Sequence, residues 1–502
     1  MMRPRRRGLA SINSEVRDGI VPAAEGLALI STVPSPATTA PQRNFRTIAL
    51  IIACAMFMEQ MDATVLTTAL PAMARDFGLP ATRLSSALTA YLLALAIFIP
   101  ASGRLADRFG AKTVFRAAIV LFLTGSVLCG QARSLQLLVF ARFVQGIGGA
   151  MMIPVGRLVL LRSVAKENMV QAMSWLIMPA MVGPIVGPPL GGFIVTYLNW
   201  RWIFYLNLPM GVLGIILVTR FIGQVRGEAP PPKPDFRGFF LSGISLGCLL
   251  FGFESSSHPG ELPVAAALIA TGLVSGALYL AHAKRRAHPI LDLTLMRVPT
   301  FRLSVIAGSL TRITQGAQPF LLPLMFQLGF GMSAALSGSI TIAGAIGSFA
   351  MKSLAPRLLR RFGFRNSMIV NGLISSAGYT VCGLFRPSWP TAAIFAVLTA
   401  SGFFMSFQFT AYNTVAYDEI PAARMSDATS FYATFQQLML SFGICLAAGT
   451  LHLGMLIGRR TGPGLQDFSL AFCVVTAVSA LATIWHLRLS PTAGDALSGR
   501  SG

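Results

Sequence analysis

The chain has 502 residues, 54% of them hydrophobic and only 12% charged, against about 25% charged in an ordinary soluble protein. With a mean hydropathy of +0.66, it leaves no room for a soluble enzyme domain and reads as a polytopic membrane protein. The net charge of +22 is scattered over short loops between apolar runs, which excludes a nucleic-acid-binding face.

Residues 1–44 open with Arg3, Arg5, Arg6 and Arg7 and continue rich in Ala, Pro, Ser and Thr. No apolar core of a signal peptide follows, so they are expected to form a disordered cytosolic arm. Fourteen stretches then reach the ~20 apolar residues that a helix needs to cross a bilayer: 47–71, 84–102, 113–131, 136–160, 173–197, 203–223, 239–256, 263–282, 302–328, 334–355, 367–386, 391–416, 428–452 and 468–488. With the N-terminus in the cytosol, 30 of the 40 Lys and Arg residues fall on the cytosolic side, seven outside, and three (Arg142, Arg157, Arg312) inside spans. That bias places both termini in the cytosol.

The first span carries Glu59 and Asp62. A carboxylate at the bilayer centre costs about 2.5–3.5 kcal/mol on insertion scales, so intramembrane acids usually mark an ion or substrate path. Being three residues apart, they share a helix face. Asp62 lies roughly 13 Å along its helix from Pro71, and Arg142 roughly 9 Å into span four. The depths match, and Arg142 is expected to pair with Asp62 or Glu59 as the proton-coupling unit. Arg157 is expected near the inner end of span four, its head group reaching the interface.

After span two comes Gly103-Arg104-Leu105-Ala106-Asp107-Arg108-Phe109-Gly110-Ala111-Lys112. After span ten comes Pro356-Arg357-Leu358-Leu359-Arg360-Arg361-Phe362-Gly363-Phe364-Arg365. The two align without gaps 253 residues apart, which implies a duplicated six-span unit with spans seven and eight inserted between the copies. The same offset pairs Arg312 with Glu59 and predicts that both face a central cavity.

These loops carry a resemblance. Gly103 to Lys112 resembles the signature loop of the major facilitator superfamily. Arg142-Phe143-Val144-Gln145-Gly146-Ile147-Gly148-Gly149-Ala150 resembles its span-four motif, and Gly183-Pro184-Ile185-Val186-Gly187-Pro188-Pro189-Leu190-Gly191-Gly192 its span-five antiporter motif. Asp62-Ala63-Thr64-Val65 with Ala69-Leu70-Pro71, Asn199-Trp200-Arg201-Trp202-Ile203-Phe204 and Leu206-Asn207-Leu208-Pro209 are similar to the fourteen-span drug:proton antiporter branch. The likeness covers about residues 45–490 and departs from the family pattern at Arg360, where the first copy has Asp107.

The resemblance implies an all-α integral membrane fold: an N-terminal six-helix bundle at 45–225, a linker with two extra helices at 226–300, a C-terminal six-helix bundle at 301–490 and a cytosolic tail at 491–502. It implies a conformational latch at Gly103, Arg104, Asp107, Arg108, Gly110 and Lys112, and antiport relevance for Gly183, Pro184, Gly187, Pro188, Gly191 and Gly192. Substrate contacts are expected from Arg312, Gln315, Gln318, Gln408, Tyr412, Asn413, Phe435 and Gln436, because aromatics with a few amides suit amphipathic ligands.

The six cysteines sit inside apolar stretches and read as core residues without disulfides. The histidines fall near span ends or in loops and form no metal constellation; the chain has no GxxxxGK[ST] phosphate loop. The expected protein is not an enzyme. It is a monomeric, proton-coupled exporter of drugs or other amphipathic molecules in a bacterial inner membrane. Its partners are a small-molecule substrate and the lipid bilayer; it needs no cofactor beyond protons, and a periplasmic adaptor stays open. Two alternatives remain: an exporter of organic anions or metal chelates, drawn by Arg312, and a non-transporting membrane receptor or assembly partner.

Overall fold

The computed structural model describes residues 45–164, 168–223, 235–256, 259–286, 289–421 and 424–490. The expected arm at 1–44, the tail at 491–502 and residues 224–234 of the linker lie outside the described residues. The described residues form sixteen α-helices, a few short 3-10 and π turns, and no strand. The first unit comprises α1 (Phe45–Phe77), α2 (Ser85–Phe109), α3 (Ala111–Gly130), α4 (Leu135–Ser163), α5 (Met169–Tyr197), and the short α6 (Trp202–Tyr205) running into α7 (Asn207–Phe221). Then come α8 (Phe236–Ser255) and α9 (Leu262–Arg285). The second unit holds α10 (Pro299–Leu324), α11 (Ala334–Phe362), α12 (Phe364–Gly383), α13 (Thr391–Val415), α14 (Met425–Ile457), α15 (Leu465–Ala480) and α16 (Ala482–His486).

Among the described residues, eleven helical stretches are long and apolar enough to cross a membrane. The other three expected spans are also helices, α5, α10 and α12, of 29, 26 and 20 residues. Two of them are more polar for identifiable reasons: α10 carries Arg302 and Arg312, and α12 carries Asn366, Ser367, Asn371, Ser375 and Ser376. In α5, the apolar portion is Met181–Tyr197.

The internal duplication is visible in the backbone. Gly110 joins α2 to α3 at φ +87°, and Gly363 joins α11 to α12 at φ +73°. Helix α2 ends at Phe109 and α11 at Phe362, while α3 and α12 start and stop at positions 253 residues apart. Two abutting helices that turn through a positive φ need a residue without a Cβ.

The two units meet at one end and part at the other. At the end where α1 finishes, one apolar cluster takes in Met61, Val65 and Leu70 from α1, Phe320 and Phe326 from the α10 region, and Leu451 from α14. There Gln327 Nε2 donates to the Thr68 carbonyl at 3.0 Å, and Ala335 N to Thr196 Oγ1 at 3.0 Å. At the basic end, where α1 begins, the units have separate cores. One is built on Ile48, Ile52, Phe115 and Val159, the other on Leu303, Met351, Phe407 and Leu489.

Helices α8 and α9 pack as a pair, tied by Ser245 Oγ to the Gly272 carbonyl (2.9 Å) and Ser275 Oγ to the Leu241 carbonyl (2.8 Å). Their outward faces expose Phe236, Phe240, Leu273, Val274 and Leu278, as lipid-facing helices must. Near its far end α8 presents Glu254, which accepts from Ser85 Oγ of α2 at 3.1 Å.

Candidate functional site: a buried charge network and a central cavity

Helix α1 divides two environments. Its Glu59–Asp62 face turns toward α2 and α4, where Arg142 Nη1 donates to Asp62 Oδ2 at 2.6 Å. The other carboxylate oxygen, Oδ1, accepts from Gln145 Nε2 at 2.9 Å and from Asn207 Nδ2 at 2.7 Å. Ser126 Oγ accepts from both amides, at 2.8 and 3.2 Å. Glu59, Asp62 and Arg142 are 3%, 4% and 0% exposed, so the pair survives burial because almost every partner position is filled. Glu59 Oε2, Arg142 Nε and Asn207 Oδ1 are the exceptions, with no hydrogen-bond partner.

Of the two acids expected to serve Arg142, the structure selects Asp62. Glu59 instead accepts from the Tyr91 hydroxyl at 3.5 Å, and the Tyr91 ring lies under the Arg142 guanidinium at 4.3 Å, a cation–π contact. The expectation that Glu59 faces the central cavity is not met, since its side chain points into the N-terminal unit. Gln145, Asn207, Ser126 and Tyr91 were missed. Gln145 and Asn207 stand inside motifs already singled out, and a carboxamide three residues after a buried arginine shares its face.

The opposite face of α1 meets α5 along a stripe. Gly183, Gly187 and Gly191 stand against Gln60, Thr64 and Thr68, both sets spaced by four. A Cβ on Gly187 would lie 2.0 Å from Thr64 Oγ1, and one on Gly191 would lie 2.6 Å from Thr68 Oγ1. The next face of α5 touches the other unit: a Cβ on Gly192 would meet the Ala334 carbonyl at 2.2 Å, and one on Gly338 the Pro188 carbonyl at 2.2 Å. The span-five motif thus lets α5 approach both units at backbone distance.

Between the units lies a cavity of about 470 Å³ lined by α1, α4, α5, α10, α11 and α13. Gln60, Thr64 and Thr67 enter from α1, Pro184 and Pro188 from α5, and Gln318 from α10. Among the eight expected substrate contacts, Gln318 alone lines it. Gln408 and Tyr412 are buried between helices instead. Gln408 Nε2 donates to the Met368 carbonyl at 3.3 Å, and the Tyr412 hydroxyl bonds His486 and Thr311. Asn413 pairs with Gln436 at 2.9 Å, and Phe435 stacks on Phe431 at 4.8 Å. Helical periodicity marks a polar face but does not distinguish a cavity from a helix–helix seam.

Arg312 is buried, with its guanidinium 4.0 Å over the Phe409 ring and Nη1 donating to Gln315 at 2.9 Å. Phe409 lines the cavity, so Arg312 sits one ring behind its wall. Two cations read differently from the sequence do line it: Arg157, expected at the interface, and Lys352, counted on the cytosolic side. His486, expected near a span end, is fully buried. Among the cysteines Cys473 is exposed, and all six are free.

In the expected latch, Arg104 Nη2 donates to the Pro289 carbonyl at 3.0 Å and Lys112 Nζ to the Thr219 carbonyl at 2.9 Å. Arg108 lies over Phe109 at 5.4 Å. The loop thereby ties α2 and α3 to the linker and to α7. At the opposite end, Arg201 of the Asn-Trp-Arg-Trp segment pairs with Asp76 at 2.9 Å, and Trp200 donates to the same carboxylate.

Residues 52–444 match the profile of the Major Facilitator Superfamily. The chain belongs to that superfamily. It is 36% identical over 465 residues to "Probable transport protein HsrA" of Haemophilus influenzae, covering 91% of this chain and 99% of that one. It is 34% identical over 455 residues to "Putative multidrug resistance protein MdtD" of Serratia proteamaculans, covering 88% and 92%. Among solved structures, a D-xylose-proton symporter superposes with a TM-score of 0.63 at 16% identity, covering 89% of this chain and 98% of that one. A likeness at that identity establishes the superfamily fold: an all-helical transporter scaffold of two related bundles, here with α8 and α9 between them.

Proposed function

We propose that this protein is a proton-coupled exporter of drugs or other amphipathic small molecules, working by alternating access across a bacterial inner membrane. The observation that carries this reading is the buried Asp62 carboxyl group, held by Arg142, Gln145 and Asn207 at the midpoint of a membrane helix. A carboxylate so placed can take up and release a proton; a passive scaffold gains nothing from its insertion cost. Similarity to proteins named for multidrug resistance supports the cargo class.

The basic end is read as cytosolic, both termini and fourteen spans included. The cavity then belongs to an inward-facing state, closed on the outer side by the shared core, by Gln327–Thr68 and by Ala335–Thr196. Protonation of Asp62 removes the negative charge that Arg142, Gln145 and Asn207 surround. Their preference for the present arrangement falls, and α1 is free to shift against α4. Because α1 also forms a cavity wall and carries the α5 glycine stripe, that shift reaches the cargo site and the seam between units. No catalytic step and no cofactor is assigned.

The test is purified protein in vesicles with an imposed pH gradient, read by a pH-sensitive dye and by uptake of a fluorescent amphipath. Wild type should exchange the amphipath for protons, and Asp62→Asn should abolish gradient-driven movement. Undiminished pumping by the variant would end the coupling assignment.

A further inference from the structure

We propose that the central cavity takes amphipathic cargo bearing a fixed negative charge, recognised by Arg157 and Lys352 together. The inference rests on the reading of this cavity as the cargo site, and deepens it by naming the charge class. Both cations stand inside apolar stretches, Arg157 in Leu135–Leu161 and Lys352 in Ala334–Ala355, where placing a charge is costly. Both side chains are exposed and both line the cavity. Neither makes a hydrogen bond or ion pair among the described residues, unlike Arg142 and Arg312, which are buried and engaged.

Among the described residues, no Asp or Glu lines the cavity. Glu59, whose field reaches Arg157, is turned to Tyr91 behind α1. Two like charges therefore share one chamber with no acid among the described lining residues to neutralise them, and an anion supplies what is lacking. The remaining lining suits the rest of such a molecule: Phe349 and Phe409 for an apolar body, Gln60 and Gln318 for its polar substituents. Arginine offers a planar fork that fits a carboxylate, sulfonate or phosphate, and lysine a point charge. The two come from opposite units, α4 and α11, so one anion bridging them would favour their approach. A cationic amphipath would meet repulsion from both.

The test uses two probes with the same aromatic body, 8-anilinonaphthalene-1-sulfonate and the uncharged N-phenyl-1-naphthylamine. Binding to the full-length protein is read by fluorescence in phosphatidylcholine nanodiscs, with empty discs subtracted. Arg157→Gln combined with Lys352→Gln should weaken the sulfonate by about tenfold or more, and leave the amine within about twofold. Arg157→Lys should retain most sulfonate binding. Unchanged amine binding certifies that the cavity is intact in the variant. Equal losses for both probes, or no loss for the sulfonate, would overturn the proposal. An anionic lipid headgroup offers the same chemistry. If phosphatidylglycerol in the discs weakens the sulfonate alone, lipid is the occupant and the cargo assignment is overturned; indifference to it supports free cargo. The outcome is separable from that of the coupling experiment. Charge-selective binding with no proton exchange would sink the exporter reading alone, and proton exchange without charge selectivity would sink this one alone.

Discussion

The guanidinium of Arg142 lies 4.3 Å from the ring centre of Tyr91, and the Tyr91 hydroxyl donates to Glu59. The two acids of α1 are therefore tied to one arginine by different routes: Asp62 by direct charge contact, Glu59 through an aromatic ring. Tyr91→Phe keeps the ring beneath Arg142 and strands the Glu59 carboxylate. It should lower thermal stability by about 1–3 kcal/mol while leaving gradient-driven transport measurable. Loss of all transport in this variant, with a normal melt, would transfer the coupling role to Glu59.

Asn207→Ala leaves Asp62 Oδ1 with Gln145 as its remaining amide donor. A several-fold drop in proton-driven exchange is expected, with a stability loss of about 1–3 kcal/mol for the partly unsatisfied carboxylate. Exchange assays in vesicles and melting in detergent read the two separately. Wild-type values in both would remove Asn207 from the network's working parts.

At Gly187 an added methyl would stand 2.0 Å from Thr64 Oγ1. Gly187→Ala should cost about 1–3 kcal/mol through overpacking, with a larger effect on transport because α5 also abuts α11. Combining it with Thr64→Ala should recover part of the loss, since the clashing atom is removed. A double-mutant cycle that is simply additive would mean the two positions are not in contact.

Gly110 and Gly363 make a matched pair of probes. Alanine at either position would be forced to positive φ, a conformation costing about 1–3 kcal/mol. Both variants should melt lower by similar amounts if the duplicated loops share one backbone solution. A loss at Gly110 alone would show that the second loop relaxes to another geometry.

Asp235 caps α8, accepting from Gly238 N at 3.0 Å and contacting His282 at 2.7 Å. Burial raises its carboxyl, but the hydrogen bonds from His282 and Gly238 outweigh that, and the group titrates below its ordinary value. A lowered folded value means that Asp235 stabilises the fold at pH above the ordinary aspartate range. That stability is lost as pH falls through the folded value. Asp235→Asn should flatten the acid limb of the melting-temperature profile; an unaltered limb would show that this carboxylate contributes nothing to it.

How much of this was legible beforehand depends on contrast. Asp62 and Arg142 stood out because an ionised group in an apolar run is conspicuous, and helical rise alone matched their depths. The loop at Gly103–Lys112 and its copy were legible because glycine at a positive φ has few substitutes. Gln145 and Asn207 were not, since an amide in a membrane helix is unremarkable until its partner is known. Gln408 and Tyr412 were misplaced because a polar face of α13 can point to a cavity or to α12 and α16, and residue spacing is the same in both cases. Lys352 was counted with the cytosolic side because it stands close to the end of the apolar stretch 334–355, whereas α11 continues to Phe362. Glu254 went unread because α8 lies in the inserted pair, outside the duplicated pattern.

In the proposed mechanism, cargo and ion are handled on opposite sides of the same rod. Gln60, Thr64 and Thr67 look into the chamber, while Asp62 looks away from it. Molecule and proton need never touch, compete for one atom, or share a shape. On that reading, mutations along the chamber wall can broaden or narrow what is carried while the Asp62–Arg142 network behind α1 stays as it is.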